Sequence, residues 1–241
     1  MLPIDPMHSP DQDTGPLSSA EIDRLVTLGR AHTIQSLLRG IAHDIRNNLQ
    51  VLALSSGLGA FEADASVLAR VDGAVEAMTE TLDLLGQLGR YPADPDPVSD
   101  LGEVLRTVER LAEFQRNVPQ TLARIDPVTR PIPVAISTPA LTQVLLDLLH
   151  NAKEAAGRDG TDVRVTSSSG PSGATIVIAD RGPGPGLVVE RPLAGDWPAA
   201  SHGGVGVFVA RTLVERAGGT LEFRARAGGG TETVVTLRPA P

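Results

Sequence analysis

A histidine followed by an acid and, one helical turn later, by an amide is the most informative chemical pattern in the sequence. His43 precedes Asp44, and Asn47 lies four residues after the histidine. Residues four apart share one face of a helix, so the imidazole of His43 and the amide of Asn47 should project together. An exposed imidazole can attack phosphorus, while Asp44 could accept the ring proton and Asn47 could position water. An isolated pair of this kind is more often an ordinary solvated helix surface.

A polar stripe on a second, strongly apolar helix offers oxygen ligands. The pattern predicts a helix over about 139–156, with Asp147, Asn151 and Glu154 aligned on one face. Carboxylate and amide oxygens are ligands for Mg²⁺, which in turn bridges nucleotide phosphates. Lys153, the only lysine in the chain, does not share the face of Asn151. Taken alone, such a stripe is also typical of a surface helix without a ligand.

A carboxylate enters a glycine-rich turn directly after an apolar strand. Asp180 follows the strand predicted over 174–179 and precedes Gly182 and Gly184. A carboxylate in this place could accept a hydrogen bond from the exocyclic amine of adenine, because glycines let the backbone approach a base. The turn is not a dinucleotide fingerprint, since no glycine-started helix follows it directly.

A second glycine-rich turn begins a helix predicted over about 204–217. Gly204 and Gly206 expose backbone N–H groups at the helix N-terminus, which is a site suited to phosphate. The segment 187–202 between the two turns has no clear periodicity, so it is predicted to cover the pocket. Thr231, at the start of the last predicted strand, could contact the base through water.

A helical hairpin should carry His43. Ser18 and Glu21 form a capping box that predicts the start of a long helix. Two apolar seams with the 4-3 rhythm of a helical bundle follow, separated by a break at 57–64. The first seam comprises Ile34, Leu38, Ile41, Ile45 and Leu52, and the second Val71, Val75, Met78, Leu82 and Leu85. A lone hairpin cannot bury both faces, which favours a homodimeric four-helix bundle; the alternative is a monomeric hairpin packed on the following domain.

The rest of the sequence predicts an α+β domain, an α/β sandwich with helices on one mixed sheet. A proline-rich polar segment at 91–98 predicts a linker. A further helix is predicted over about 100–117, and strands near 120–125, 132–137, 163–167, 174–179, 220–225 and 231–237. The predicted organisation is a flexible tail over 1–17, the hairpin over 18–90, the linker over 91–98 and the second domain over 99–241.

Composition excludes several classes of protein. The 241 residues carry a formal net charge of −8, which argues against a general nucleic-acid or anionic-membrane binder. The absence of cysteine excludes disulfides and thiolate catalysis. No apolar run reaches the roughly 20 residues that cross a bilayer, so membrane insertion is not expected. The N-terminus lacks the pattern of a signal peptide, which predicts a cytoplasmic location.

The order of these motifs resembles that of two-component sensor histidine kinases with a GHKL, or Bergerat-fold, ATPase domain. The resemblance covers about residues 19–238. It implies that His43 takes the γ-phosphoryl group from ATP and passes it to an aspartate in the receiver domain of a response regulator. It also implies that Asp44 is the general base and that Asn47 takes part in a phosphatase reaction.

The same resemblance implies a set of nucleotide-binding residues, with ATP and Mg²⁺ as cofactors. Asn151 would bind Mg²⁺, with Asp147 standing where the family usually has asparagine. Asp180 with Gly182 and Gly184 matches the adenine-reading box, Gly204 and Gly206 match the second glycine box, and Thr231 matches the final Gly-Thr. The implied partners are a second copy of the chain, a receiver domain and, because no sensory domain is visible in the sequence, a separate sensor protein.

Several positions depart from the family pattern. Asp147 and Glu154 are acidic where an amide and a basic residue are usual, His202 replaces a glycine, and Asn48 replaces a proline. The segment 187–202 also lacks a phenylalanine-centred box. These departures favour, as an alternative function, a histidine phosphotransferase or response-regulator phosphatase with a weakened ATP site. A third class is an ATP-gated scaffold or a serine kinase of the same ATPase fold, although the His43 hairpin argues against a serine kinase.

Overall fold

A long N-terminal helix and a helix-covered mixed sheet make up the described part of the chain. The computed structural model describes residues 18–57, 69, 71–79, 82, 97–114, 123–156, 163–185 and 203–241. The predicted tail over 1–17, the break after residue 57, most of the 91–98 linker and the 187–202 segment lie outside these residues.

Helix α1, Ser19–Gly57, begins at the predicted capping box. The backbone N–H and the hydroxyl of Ser18 both donate to Glu21 Oε2, at 2.8 and 2.6 Å, and the Glu21 N–H donates to Ser18 Oγ at 3.3 Å. The Ser18 hydroxyl is the main cause of a lowered pKa at Glu21. These bonds satisfy N–H groups that the first turn leaves without helical partners, so the predicted start of the helix is confirmed. A second helix, α2, includes residues 71–79.

The described chain contains seven strands, of which five form the main sheet. They are β1 Ser99–Asp100, β2 Ala123–Ile125, β3 Pro133–Val134, β4 Val163–Gly170, β5 Gly173–Ala179, β6 Thr220–Ala225 and β7 Thr231–Leu237. The order in the five-stranded sheet is β2–β4–β5–β7–β6. Strands β2 and β4 are parallel, while the other three pairings in this sheet are antiparallel. Strands β1 and β3 form a separate antiparallel pair. The predicted mixed sheet is therefore confirmed.

Three helices pack together over the sheet and form the core with it. They are α3 Leu101–Ala112, α4 Thr138–Ala156 and α5 Gly203–Arg216. Helix α4 contacts both α3 and α5 as well as β4 and β5, so it lies in the middle of the helical layer. Its buried leucines face Ile176 and Ile178 of the central strand in one hydrophobic cluster. This is the helix-on-sheet sandwich predicted for the second domain.

Two predicted elements are shorter in the structure. The helix predicted over 100–117 ends at Ala112, where the Phe114 N–H turns back to the carbonyl of Leu111 at 3.1 Å. The strand predicted over 132–137 is reduced to the two residues of β3. There the Ile136 N–H bonds to the Val134 carbonyl, which bends the chain toward the start of α4.

Helix α1 packs on α4 and α5 through a face that only partly coincides with the predicted seam. Leu37 and Ile41 are buried in the common core, whereas the seam residue Leu38 is 44% exposed. Leu49 and Leu54 further along the helix are exposed as well. One face of α1 is thus buried against the sandwich, and an apolar stripe remains at the surface.

Among the described residues, no helix is both long and apolar enough to cross a lipid bilayer.

Candidate functional site

The His43 cluster lies on the solvent side of α1, as its helical position predicts. The imidazole is 51% exposed. Its Nδ1 atom lies 3.4 Å from Asp44 Oδ1 and 3.1 Å from Asn47 Nδ2. All three predicted residues therefore meet at one ring nitrogen, and the structure shows no bond that uses Nε2 among the contacts of this cluster.

The tautomer of His43 decides which nitrogen is the nucleophile. When Nδ1 carries the proton, it can donate to Asp44 but cannot accept from the amide nitrogen of Asn47, and Nε2 then keeps its lone pair. A negative carboxylate beside Nδ1 favours this tautomer and stabilises the positive charge that develops on the ring when Nε2 attacks. Asp44 thus has the position required of a residue that orients the imidazole and accepts its proton.

Asp180 is held at the end of β5 almost entirely by backbone groups. The side chain is 2% exposed, and its Oδ1 accepts hydrogen bonds from the N–H groups of Gly182 at 2.7 Å and Thr231 at 3.2 Å. The Asp180 N–H in turn donates to the Thr231 carbonyl at 2.9 Å. Both of these bonds to the carboxylate end on Oδ1, so Oδ2 can accept a hydrogen bond from a donor on a ligand.

Glycines bring the surrounding backbone close to Asp180. A side chain at Gly182 would lie 2.5 Å from the Ala155 carbonyl at the end of α4. A side chain at Gly230, which has a φ of +102°, would collide with the carbonyl of Asp180. Gly184 also has a positive φ and faces Gly230. The structure therefore brings together Asp180, Gly182, Gly184 and Thr231, all predicted to form one adenine site.

Arg226 is part of this corner, although the sequence analysis did not identify it. Its Nη1 donates to the Asp180 carbonyl at 3.0 Å, and its backbone closes the β6–β7 turn by bonding to Gly230 and Gly229. An arginine in a hairpin turn is common, so only the fold reveals that it reaches the neighbouring strand.

Asp147 is buried beneath α1 rather than exposed on a polar stripe. It is 8% exposed, and its Oδ1 accepts a 2.7 Å hydrogen bond from the Thr33 hydroxyl of α1. Gln143 Nε2 donates to Asp147 Oδ2 at 2.6 Å and to Thr33 Oγ1 at 2.7 Å. The three side chains close a ring of hydrogen bonds. Burial raises the pKa of Asp147 to about 7, although the bonds from Gln143 and Thr33 act in the opposite direction.

The rest of the predicted α4 stripe becomes more exposed toward the end of the helix. Asn151 is half-buried and Glu154 is exposed, with Glu154 Oε1 lying 3.5 Å from His150 Nε2. Lys153 lies on the other side of α4, where its Nζ donates to the Ala112 carbonyl at 3.1 Å. Burial lowers the pKa of Lys153. The prediction that Lys153 does not share the face of Asn151 is confirmed.

The second glycine turn lies beside Asp147. Helix α5 begins at Gly203, so the backbone N–H groups of Gly204 and Gly206 belong to its first turn, where helices bind phosphate. A side chain at Gly206 would lie 3.3 Å from Asp147 Cβ, so the two helices approach closely at this point. One predicted phosphate residue, Gly206, and one predicted metal residue, Asp147, are thus neighbours.

The donor set fits Mg²⁺ at Asn151 more readily than at Asp147. The half-buried Asn151 offers an amide oxygen, which Mg²⁺ accepts together with water and phosphate oxygens. Both carboxylate oxygens of Asp147 are already bonded to Thr33 and Gln143. Within the described residues there is also no group of three or more histidine and acidic side chains that could hold a metal ion.

Two signals in the sequence could have indicated Thr33 and Gln143. Gln143 lies one helical turn before Asp147, on the same face of an apolar helix. Thr33 lies between Gly29 and Gly40 on a face of small residues, which allows close helix approach. Neither signal identifies the partner, because the Thr33–Asp147 contact joins residues 114 positions apart.

Comparison with known proteins agrees with the geometry of the sandwich. Residues 137–241 match the family described as histidine kinase-, DNA gyrase B- and HSP90-like ATPases. This region of the chain is similar to the ATPase domains of that family. The predicted resemblance to proteins with a GHKL-type ATPase domain is therefore confirmed.

Relatives extend the likeness over most of the chain. The C4-dicarboxylate transport sensor protein DctS of Rhodobacter capsulatus is 30% identical over an alignment covering 93% of this chain and 36% of DctS. The sensor histidine kinase ZraS of Escherichia coli K12 is 27% identical over 89% of this chain and 46% of ZraS. The chain thus spans less than half the length of these relatives.

A solved structure shows a weaker likeness. The ATP-binding domain of PrrB from Mycobacterium tuberculosis is 19% identical to this chain and covers 61% of it, with 100% of that domain's chain aligned and a TM-score of 0.48.

Proposed function

We propose that this protein is an ATP-dependent protein-histidine kinase that phosphorylates His43 and passes the phosphoryl group to an aspartate on a response-regulator receiver domain. The observation that carries the proposal is the exposed His43 ring, with Nδ1 beside Asp44, in a chain whose residues 137–241 match a family of ATPases. The sensor histidine kinases among the relatives support the same conclusion.

The proposed reaction is an in-line phosphoryl transfer. His43 Nε2 forms a bond to the γ-phosphorus while the bond from that phosphorus to the β–γ bridging oxygen breaks, and ADP leaves. Asp44 accepts the Nδ1 proton as positive charge develops on the imidazole. In the second step the nitrogen–phosphorus bond breaks as a carboxylate oxygen of the receiver attacks. Asn47, at the same ring nitrogen, has the position to orient water for hydrolysis of a phosphorylated partner.

We assign the nucleotide to the two glycine turns. Asp180 Oδ2 would accept the adenine amine, and Gly182, Gly184 and Thr231 would contact the base. The N–H groups of Gly204 and Gly206 would bind phosphate. Asn151 would hold Mg²⁺, which neutralises phosphate charge, while Asp147 would require release from Thr33 before it could serve as a second ligand.

The exposed apolar stripe supports a homodimer. Exposed large apolar side chains along α1 and the second helix include Leu38, Leu49, Leu54, Val75 and Leu82. Two copies could bury these stripes as a four-helix bundle, which agrees with a division into a hairpin over 18–90 and a catalytic domain over 99–241. A receiver domain and a separate sensor protein are the other proposed partners.

Phosphoryl labelling tests the kinase directly. Incubation with γ-labelled ATP and Mg²⁺ should give an acid-labile, alkali-stable label on the wild type and none on His43→Ala. His32 is an exposed histidine on the same helix, so His32→Ala is a matched control that should label normally. A label that persists in His43→Ala would show that the proposed acceptor is wrong.

A second candidate is a histidine phosphotransferase or phosphatase with a weakened ATP site. The burial of Asp147 beneath α1 favours it, because the carboxylate is withheld from the phosphate end of the pocket. Calorimetric titration with Mg·ATP separates the two candidates. A protein that binds no nucleotide at millimolar concentration, yet exchanges phosphoryl groups with a receiver, is the second candidate and not the kinase.

A further inference from the structure

Helix α1 crosses the helical layer of the ATPase domain in a defined order. Gly29 lies against Val209 of α5, Thr33 bonds to Asp147 of α4, and Gly40 lies against the backbone of Phe114 just after α3. An ion pair between Asp23 and Arg216, at 2.7 Å, extends the contact toward the N-terminal end of α1. Four separate contacts therefore set one orientation of the helix on the domain.

The centre of the contact between α1 and the helical layer is a ring of hydrogen bonds among three polar side chains. The Thr33 hydroxyl donates to Asp147 and accepts from Gln143, while Gln143 also donates to Asp147. All three side chains are buried. Removing the Thr33 hydroxyl leaves the bond from Gln143 to Asp147 but takes one hydrogen-bond partner from each of these buried side chains, which costs more than the bond itself contributes. The ring thus makes the docked position of α1 specific.

The docked helix lies at the phosphate end of the proposed pocket. Asp147 is packed against Gly206 of the phosphate-binding turn, and Gly29 meets α5 at Val209, within one turn of that glycine. His43 lies beyond Gly40, toward the α3 side. It is ten residues from Thr33, or about 15 Å along the helix. Docking therefore brings Thr33, and not His43, to the carboxylate nearest the phosphates.

We propose that α1 docking is a latch in which Thr33 acts as the positioning residue: it occupies Asp147 and keeps His43 away from the γ-phosphate, so that Mg·ATP binding and opening of the latch favour each other. This inference rests on the proposed kinase function and names the regulation of its site. A ligand that binds the open state better shifts the population toward it, and opening the latch by mutation must then raise ligand affinity.

Two substitutions open the latch by different physical routes. Thr33→Val keeps the shape of the side chain but removes the hydroxyl. Gly29→Ala adds a methyl group 2.7 Å from a Val209 methyl, while its effect on helix propensity should favour α1 itself. The matched controls are Thr27→Val, on an exposed threonine whose hydroxyl bonds only to the Asp23 carbonyl, and Gly73→Ala, where an added methyl meets nothing within 4 Å.

The distance between α1 and α5 gives a readout that does not depend on activity. The chain has no cysteine, so Leu28→Cys with Glu215→Cys introduces two unique spin-label sites at exposed positions. Labelled protein mixed with excess unlabelled protein limits distances between copies. We expect one short distance in the wild type, and a population at longer distance in Thr33→Val and Gly29→Ala but not in the controls. Mg·ATP should shift the wild type in the same direction.

Nucleotide affinity completes the test. The two opening variants should bind Mg·ATP about tenfold more tightly than the wild type, which is the scale of one buried hydrogen bond. Unchanged distance and affinity in both variants, or saturation of the wild type with Mg·ATP at the docked distance, would overturn the latch. If no variant binds Mg·ATP although Thr33→Val lengthens the distance, the proposed nucleotide function fails instead, so the two failures are distinguishable.

Discussion

Asp180 and Asp147 are both buried carboxylates near the candidate pocket, but different parts of the chain hold them. Asp180 is fixed by N–H groups of its own turn and of the adjacent strand β7. Asp147 is fixed by two side chains, one of which belongs to α1 and lies 114 positions away. The first carboxylate is therefore part of a rigid site, whereas the environment of the second depends on where α1 lies.

Loss of the Asp180 carboxylate should have the largest effect on nucleotide binding. Asp180→Ala removes the acceptor for the adenine amine. Because the amine then lacks its hydrogen-bond partner, we expect the affinity for Mg·ATP to fall by about 100-fold or more. Calorimetric titration with Mg·ATP measures the change. Asp126→Ala, which removes an exposed carboxylate paired with Arg164, should bind like the wild type. Equal binding by Asp180→Ala would show that adenine is not recognised there.

The glycines of the β6–β7 turn test how rigid the Asp180 corner is. Gly230→Ala combines a positive φ with a collision against the Asp180 carbonyl, so we expect a loss of about 3 kcal/mol in the free energy of unfolding. Gly228→Ala has a similar φ but meets nothing within 4 Å, so it should lose only about 1 kcal/mol. Urea denaturation measures both values. Similar losses for the two variants would contradict the close approach at Gly230.

The raised pKa of Asp147 predicts that the stability of the protein depends on pH. The folded protein holds the Asp147 proton up to about pH 7, whereas an ordinary carboxyl loses it near pH 3.8. The folded state therefore binds more protons across this window, and its stability should fall as pH rises from about 4 to about 7, by at most about 1.4 kcal/mol per pH unit.

Asp147→Asn provides the control for this pH dependence. The amide does not titrate, so the difference in unfolding free energy between the wild type and this variant should change with pH through the same window and level off above it. Denaturation in a chelating buffer without nucleotide isolates the effect from metal binding. A difference that stays constant from pH 4 to 8 would mean that Asp147 has an ordinary pKa.

Loss of Arg226 should have the smallest effect on nucleotide binding. Its Nη1 donates one hydrogen bond to the Asp180 carbonyl, so Arg226→Ala should weaken Mg·ATP binding about fivefold, the value of one hydrogen bond. Arg224→Ala, two residues earlier on β6, removes only an exposed pair with Glu222 and should bind normally. Arg226→Lys should recover part of the loss. Identical affinities for the Arg226 and Arg224 variants would remove Arg226 from the site.

Features held by contacts between near neighbours in the chain could be predicted from the sequence. The capping box at Ser18 and Glu21 and the bounds of β6 and β7 follow from contacts between near neighbours, and each was predictable from local pattern. The Asp180 turn was predictable for the same reason, because its glycines and its carboxylate are adjacent in the chain.

Features that depend on the docking of α1 could not be predicted in this way. The 4-3 rhythm placed Leu38 in the seam of a helical bundle, but it did not indicate that the neighbouring Leu37 packs on the sandwich. The face shared by Asp147, Asn151 and Glu154 was correct for an isolated helix, yet of the three only Asp147 is buried, where Thr33 of α1 bonds to it. Periodicity shows which residues share a face; it does not show what covers that face.

The central claim is that His43 Nε2 takes the γ-phosphoryl group of ATP. The most direct measurement is mass-spectrometric mapping of the phosphorylated residue after incubation with Mg·ATP, with digestion at alkaline pH to preserve a nitrogen–phosphorus bond. We expect a single phosphoryl group on the peptide containing His43, absent from His43→Ala and retained in His32→Ala. A wild-type protein that binds Mg·ATP and leaves His43 unmodified, or carries the group on another residue, would contradict it.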